Sequence, residues 1–230
     1  MRKGRRAGED GNGVALDPPE TRAKRAAMVE RQLRRRGISD PRVLEVMARV
    51  PREAFLPPSL HPEAYEDRAV PIGQDQTLSQ PYMVAAMTEA LQVGPEDRIL
   101  EIGTGSGYQA AVLALLAREV RSIERIASLA EAARRALDTL GIENVEIRVG
   151  DGSRGWPEEA PFDGIIVTAA APDVPRSLLR QIASDGGRLL IPVGTLVSQD
   201  LIRVTRQGED FDSETLVGCR FVPLLGEEGW

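Results

Sequence analysis

Leu100-Glu101-Ile102-Gly103-Thr104-Gly105-Ser106-Gly107 decides how this chain is read. A short apolar run, Arg98–Ile102, leads into three glycines spaced G-x-G-x-G, and an Ala/Leu-rich helical stretch, Tyr108–Arg118, follows. In a strand–glycine turn–helix arrangement the backbone can approach a ligand closely. Glycine has no Cβ, and the first turn of a helix has free N–H groups. Glu124 stands 21 residues after Gly103, at the end of the next apolar run, Val120–Ile123. Asp151-Gly152 closes a third run, Val145–Val149. A carboxylate at the end of the second strand can accept hydrogen bonds from both hydroxyls of a ribose, and Asp151 is placed to accept from an adenine amino group. All these positions fall at carboxyl ends of strands, where open α/β sheets bind ligands. Tyr108 stands where a dinucleotide fingerprint has its third glycine, which disfavours an NAD-dependent oxidoreductase.

The pattern around this centre alternates. Ala127–Leu140 reads as a helix stopped by Gly141, Phe162–Thr168 as an apolar strand, Pro175–Ile182 as a helix and Arg188–Val193 as a strand. Leu201–Thr205 and Phe221–Leu224 read as two more strands with no helix between them. The expected fold is α/β: a doubly wound, mostly parallel sheet with antiparallel C-terminal strands. An N-terminal helical segment precedes it. One helix is expected from about residue 20 to 36, stopped by Gly37, and a second opens at Asp40-Pro41 and ends at Pro51. A third opens at Pro81 and runs to Leu91. Residues 51–81 hold six of the 16 prolines and little periodicity. Such long irregular segments often serve as binding loops. The expected organisation is a basic, disordered extension over 1–27 and a single domain over 28–230. Within it, 28–96 carries the helices and a substrate loop, and 97–230 carries the cofactor-binding core.

Composition narrows the chemistry. The 230 residues include one cysteine, Cys219, and one histidine, His61, which excludes a disulfide framework, a Cys-rich zinc site and any two-histidine metal motif. A Ser-His-Asp hydrolase would depend on His61 alone, and no G-x-S-x-G elbow surrounds Ser79. No apolar run approaches the length of a membrane span and no signal-type apolar region follows the Arg-rich start, so a cytoplasmic protein is expected. Residues 1–36 carry 11 basic and 5 acidic side chains, a net of +6, whereas the rest carry 18 and 30, a net of −12. A basic arm on an acidic body allows contact with nucleic acid, and equally a solvated tail followed by an Arg-rich helix.

The glycine turn resembles the first motif of the S-adenosylmethionine-dependent methyltransferases, with Glu124 and Asp151-Gly152 at the next two ligand-binding positions. Gln76-Thr77-Leu78-Ser79-Gln80-Pro81 makes the resemblance specific: it is similar to the Q-T-[IL]-S-x-P string of the protein-L-isoaspartate (D-aspartate) O-methyltransferases. Val50-Pro51-Arg52-Glu53-Ala54-Phe55, Ala64-Tyr65-Glu66-Asp67 and Phe162-Asp163-Gly164-Ile165-Ile166-Val167 also fit that family, as do Gly186-Gly187-Arg188-Leu189 and Phe221-Val222-Pro223-Leu224. The likeness spans about 28–230. Asp75 departs from it, standing where the family has glycine, and Val84 stands where eukaryotic members have histidine.

The resemblance implies a Rossmann-like methyltransferase fold, S-adenosyl-L-methionine as cofactor, and methylation of the α-carboxylate of L-isoaspartyl residues in damaged proteins, with D-aspartyl residues as a further substrate. The methyl ester then closes spontaneously to a succinimide. It assigns Ser79 as the catalytic residue that orients the substrate carboxylate, with Gln80, Val84 and Val222 as further substrate contacts. It gives the cofactor Gln76, Thr77, Leu78, Ser79, Glu101, Gly103, Thr104, Gly105, Ser106, Gly107, Glu124, Asp151 and Gly152. Ser79 could also cap the helix that opens at Pro81. No metal, no nucleic acid, no membrane and a monomer are expected. The alternative is a methyltransferase of another substrate such as nucleic acid. Against it, Thr168-Ala169-Ala170-Ala171-Pro172 lacks the N/D-P-P-Y/F string of enzymes that methylate base amino groups. A scaffold without activity is disfavoured by intact Glu124, Asp151 and Ser79.

Overall fold

The computed structural model describes residues 19–230. The part of the expected extension that covers 1–18 lies outside the described residues. The rest of it, 19–27, is corrected: α1 (Pro19–Met28) already buries Arg25 and Met28. The Arg25 guanidinium donates to the Ala48 carbonyl at 2.7 Å and to the Tyr65 hydroxyl at 3.2 Å. A basic residue read as solvated is thus inside the fold. The helix continues through a π turn and a 3-10 turn to Gly37, whose φ of 98° ends it as expected. In α2 (Pro41–Arg49) the Asp40 carboxylate accepts from the Arg42 amide and Pro41 opens the first turn. The 51–81 segment is more ordered than its prolines suggest. Two 3-10 turns, Arg52–Phe55 and Pro58–Glu63, precede a small antiparallel hairpin of β1 (Val70–Gly73) and β2 (Gln76–Leu78). Gln74 and Asp75 turn this hairpin with φ of 54° and 56°. That explains why a glycine suits position 75: both central residues need positive φ. α3 (Pro81–Leu91) follows.

The core is a seven-stranded sheet. β3 (Arg98–Ile102), α4 (Tyr108–Ala114), β4 (Glu119–Glu124), α5 (Ala127–Thr139) and β5 (Val145–Val149) form the first winding. β6 (Gly164–Val167), the single-turn α6 (Arg176–Leu179), β7 (Asp185–Gly194), β8 (Gln199–Gln207) and β9 (Asp210–Cys219) complete it. The order is β5-β4-β3-β6-β7-β8-β9. The first five strands are parallel, and β8 and β9 pair antiparallel. The winding reverses between β3 and β6, and the crevice at their carboxyl ends is the ligand position of such folds.

Apolar residues alternate across the sheet. Ile99, Ile166 and Leu190 enter the core shared with α1–α4, while Leu100, Ile102, Ile165, Val167, Leu189 and Ile191 enter a second core on the other face. Burial on both faces is why these strands read as continuous apolar runs. The expected last strand at 221–224 is corrected. The C-terminal edge strand is β9, at Asp210–Cys219, whose residues are nearly all exposed. It carries no apolar alternation and is held by its ladder to β8. Residues 221–224 instead pass beside Ala170, whose amide donates to the Val222 carbonyl at 2.8 Å and whose carbonyl accepts from the Leu224 amide at 2.7 Å.

Candidate active site

A cavity of about 740 Å³ opens at the carboxyl ends of β3, β4 and β6. Its floor is Ile102, Gly103, Thr104, Gly105 and Ser106, with Glu124 and Gly152 at the neighbouring strand ends. Gly103 has φ of 93°, and a Cβ there would lie 2.5 Å from the Thr168 hydroxyl. The same hydroxyl donates to the Gly103 carbonyl at 2.6 Å, so the turn is pinned from below. Gly105, with φ of 53°, donates its amide to Glu124 Oε2 at 2.8 Å, and Glu124 Oε1 accepts from the Ile126 amide at 2.9 Å. Glu124 is buried, and each of its oxygens takes one backbone hydrogen bond. Two lone-pair positions remain for a ligand hydroxyl pair.

The opposite wall is built from the segment expected to meet the substrate. Gln76, Thr77, Leu78, Ser79, Gln80 and Val84 all line the cavity, with Tyr82 and Met83. The cap position of α3 falls on Gln80 rather than Ser79, and no side chain caps it. Ser79 thus stays one residue outside the helix, facing the cavity. Beneath it lies Arg52, fully buried. Its guanidinium donates to the Ala64 carbonyl at 2.7 Å and to the Ser79 carbonyl at 2.9 Å, and stacks 4.7 Å over the Tyr108 ring. Desolvation pulls its pKa below the ordinary arginine value. Tyr108 follows the glycine turn directly, so Arg52 links the two walls. At the rim Arg36 stacks 3.8 Å over Tyr82 and pairs with Asp67 at 3.2 Å, and Gln80 donates to the same carboxylate at 2.7 Å.

Three of the residues expected at the cofactor stand behind the wall. Gly107 starts α4, where a Cβ would come within 3.0 Å of Ala133. Glu101 is fully buried; it accepts from the Ser122 hydroxyl, which in turn lies 2.6 Å from Thr104 Oγ1. Burial, with a smaller contribution from the Glu124 charge, pushes the Glu101 carboxyl up to about 8, against the Ser122 hydrogen bond, and its Oε1 lacks a protein partner. Asp151 uses Oδ1 to accept from the Ser153 amide and hydroxyl, at 2.9 and 2.7 Å, and Oδ2 to accept from the Glu227 amide at 2.8 Å. It ties the Gly152 turn to the C-terminal residues. Desolvation works against ionisation here, but these hydrogen bonds outweigh it and hold the Asp151 pKa below the usual value.

The sequence reading missed a third side. Leu196 and the stretch Val217–Leu225 line the cavity, including Val222, which was expected there, and Cys219, the chain's one cysteine. Burial and the Asp200 charge push the Cys219 thiol up to about 11, so it is not a thiolate nucleophile. The only signal for this side was the Phe221-Val222-Pro223-Leu224 match, since an exposed strand has no hydrophobic period. His61 lies outside the cavity, its Nε2 at 3.2 Å from the Leu56 carbonyl. Trp156 is buried in the second core under the Arg148 guanidinium, not beside the cavity.

A glycine turn at the sheet's reversal point, a carboxylate at the next strand end and a separate segment roofing both define a Rossmann-like methyltransferase domain. The family model described as protein-L-isoaspartate(D-aspartate) O-methyltransferase matches residues 23–229, and the chain belongs to that family. A curated relative from Syntrophus aciditrophicus, a protein-L-isoaspartate O-methyltransferase, is 56% identical over 210 residues, covering 90% of this chain and 96% of its own. A solved protein-L-isoaspartate O-methyltransferase superposes with a TM-score of 0.79 at 31% identity, covering 90% of this chain and 67% of that one. A Plasmodium falciparum structure described as the same enzyme, in complex with S-adenosyl-L-homocysteine, gives 0.76 at 26% identity, covering 87% and 98%.

Proposed function

We infer that this chain repairs aged proteins by methylating the α-carboxylate of L-isoaspartyl residues, with S-adenosyl-L-methionine as methyl donor. The observation that carries the reading is the single cavity on which Gly103–Ser106 and Gln76–Gln80 converge. The residues fit the cofactor: Gly103 leaves room that a Cβ would fill, and Glu124, on the cavity wall, keeps acceptor positions that a ribose diol can use. Gly103, Thr104, Gly105, Ser106, Glu124 and Gly152 would hold it from the sheet side, and Gln76, Thr77 and Leu78 from the roof. Bound there, S-adenosyl-L-methionine supplies a methyl group made electrophilic by its sulfonium.

The chain's own task is then positional. An isoaspartyl α-carboxylate is ionised at neutral pH and is itself the nucleophile, so no general base is required. This accords with a cavity lined by no histidine and with a thiol held protonated. The Ser79 hydroxyl orients the carboxylate, while Arg52 fixes the Ser79 backbone from behind. Roof and floor exclude water and limit the orientations sampled. Glu101 and Asp151 act at one remove, through Ser122–Thr104 and through the Gly152 turn. Action on D-aspartyl residues, a monomeric state, a cytoplasmic location and indifference to nucleic acid belong to the same reading. Among the described residues no helix is long and apolar enough to cross a membrane.

The test pairs isoaspartyl and aspartyl peptides with methyl-labelled cofactor. Base-labile label entering only the isoaspartyl peptide is expected. Label entering RNA instead, or no peptide, overturns the reading.

A further inference from the structure

β9 is one of the two edges of the sheet, the one that reaches the cavity, and its two halves differ in character. Asp210, Asp212 and Glu214 lie in the first half, remote from the cavity, where edge charges guard against pairing with stray chains. Thr215–Cys219 carries no charge, and Val217, Gly218 and Cys219 line the cavity. The register shifts between the halves: Ile202 faces Thr215 while Leu201 faces Val217, leaving Leu216 as a bulge. Gly218 adds an independent sign. Its φ is not positive, and a Cβ there would meet only an Asp200 oxygen at 3.9 Å. The fold itself does not require glycine at that point. Glycine inside a strand commonly marks close approach by another backbone. Beside it Leu196 and Val197, in the β7–β8 turn, are 58% and 74% exposed and form an apolar lip.

We propose that the uncharged half of β9, Thr215–Cys219, is the docking edge for the main chain of the substrate, which pairs with it as an added strand and so delivers the isoaspartyl carboxylate to the cavity. The proposal rests on the isoaspartyl reading and deepens it. In an isoaspartyl residue the backbone runs through the side-chain carboxyl, so polypeptide must lie across the cavity mouth on at least one side of the reacting carboxylate. The edge is continuous with that mouth. Main-chain pairing is also indifferent to side chains, which a repair enzyme acting on damage at many sites needs. The rival occupant, a second copy of this chain pairing edge to edge, would cover the same residues and close the mouth.

The experiment uses the full chain and a set of isoaspartyl peptides, each N-methylated at one backbone position. Strand pairing predicts a period of two: kcat/KM falls about tenfold, one hydrogen bond's worth, at alternate positions on one side of the isoaspartyl residue and little between them. Hydrogen exchange at the 215–219 amides should slow with the isoaspartyl peptide and not with its aspartyl twin. A flat or uniform N-methyl profile, or no slowing while the parent peptide is methylated, overturns the docking edge and leaves the methyltransferase reading intact. Slowing that grows with protein concentration without peptide overturns it in favour of a dimer. Failure to methylate the parent peptide at all is the failure of the underlying reading instead.

Discussion

The two walls of the cavity are built on opposite principles. The cofactor wall is one turn, Gly103–Ser106, seated on β3 and braced by the parallel strands β4 and β6 on either side. The turn's conformation is local: positive φ at Gly103 and Gly105, a hydroxyl below, a carboxylate beside. The facing wall, which the proposed function gives to the substrate, joins the short strand β2 to the first turn of α3 through Ser79 and Gln80. Its Gln76–Gln80 stretch is a three-residue strand and a connector, held in place by contacts from distant parts of the chain. The strongest is Arg52, a buried guanidinium that exchanges water for two carbonyls and an aromatic face. The difference teaches that, on the proposed function, the wall for an invariant cofactor is fixed by backbone geometry, whereas the wall for a variable polypeptide is fixed by a few buried polar anchors, which leave its surface open.

That contrast breaks most sharply at Gly103. Gly103→Val should lower affinity for S-adenosylhomocysteine about a thousandfold by calorimetry, because left-handed backbone and the Thr168 contact both resist a branched Cβ. Affinity unchanged within tenfold would show that the turn is adaptable. Next comes Arg52→Met, which orphans the Ala64 and Ser79 carbonyls. We expect a loss of about 2–4 kcal/mol in urea unfolding. In the folded fraction, the peptide KM should rise while cofactor affinity stays within threefold. Equal losses for both ligands would mean that the two walls are a single unit. Ser79→Ala should reduce turnover roughly a hundredfold by misplacing the carboxylate, with cofactor affinity within several-fold.

Glu101 sharpens the comparison from the cofactor side. Its folded pKa, about 8, is above the ordinary carboxylate value, so the unfolded chain releases this proton first as pH rises. Stability from this group is therefore greatest at low pH and declines by up to about 1.4 kcal/mol per pH unit until pH passes about 8. Glu101→Gln should flatten that slope in denaturation midpoints measured at pH 5, 6.5 and 8, and the variant should be the more stable at pH 8. A parallel slope in both proteins would place the charge elsewhere. The smallest effect is expected at Asp75→Gly in the β1–β2 turn, which removes a left-handed non-glycine residue. Relief of about 1 kcal/mol should raise Tm by a few degrees, with kcat hardly changed.

Much of the cofactor wall was legible because its determinants are consecutive. Strand, glycines and helix follow one another from Arg98, and Glu124 and Gly152 fall at the ends of the next two strands. What could not be read there was orientation. Glu101 and Asp151 sit at the expected strand ends, yet one turns into the sheet toward Ser122 and the other toward the C-terminal residues. The substrate wall was legible only through its motif. Arg52 appears in the sequence as one arginine of many, and its burial depends on Ala64, Ser79 and Tyr108 meeting around it.

By itself, then, the sequence determined the alternating elements, the parallel sheet and the position of the glycine turn. Each of these follows from local periodicity and from backbone freedom that a few neighbouring residues control. Only the tertiary structure decided that α1 begins at Pro19 with a buried arginine and that the last strand is the exposed Asp210–Cys219. It also decided that Val217–Leu225 closes the third side of the cavity. An edge strand is held by hydrogen bonds to its neighbour's backbone, and those bonds leave no hydrophobic signature in the strand that receives them.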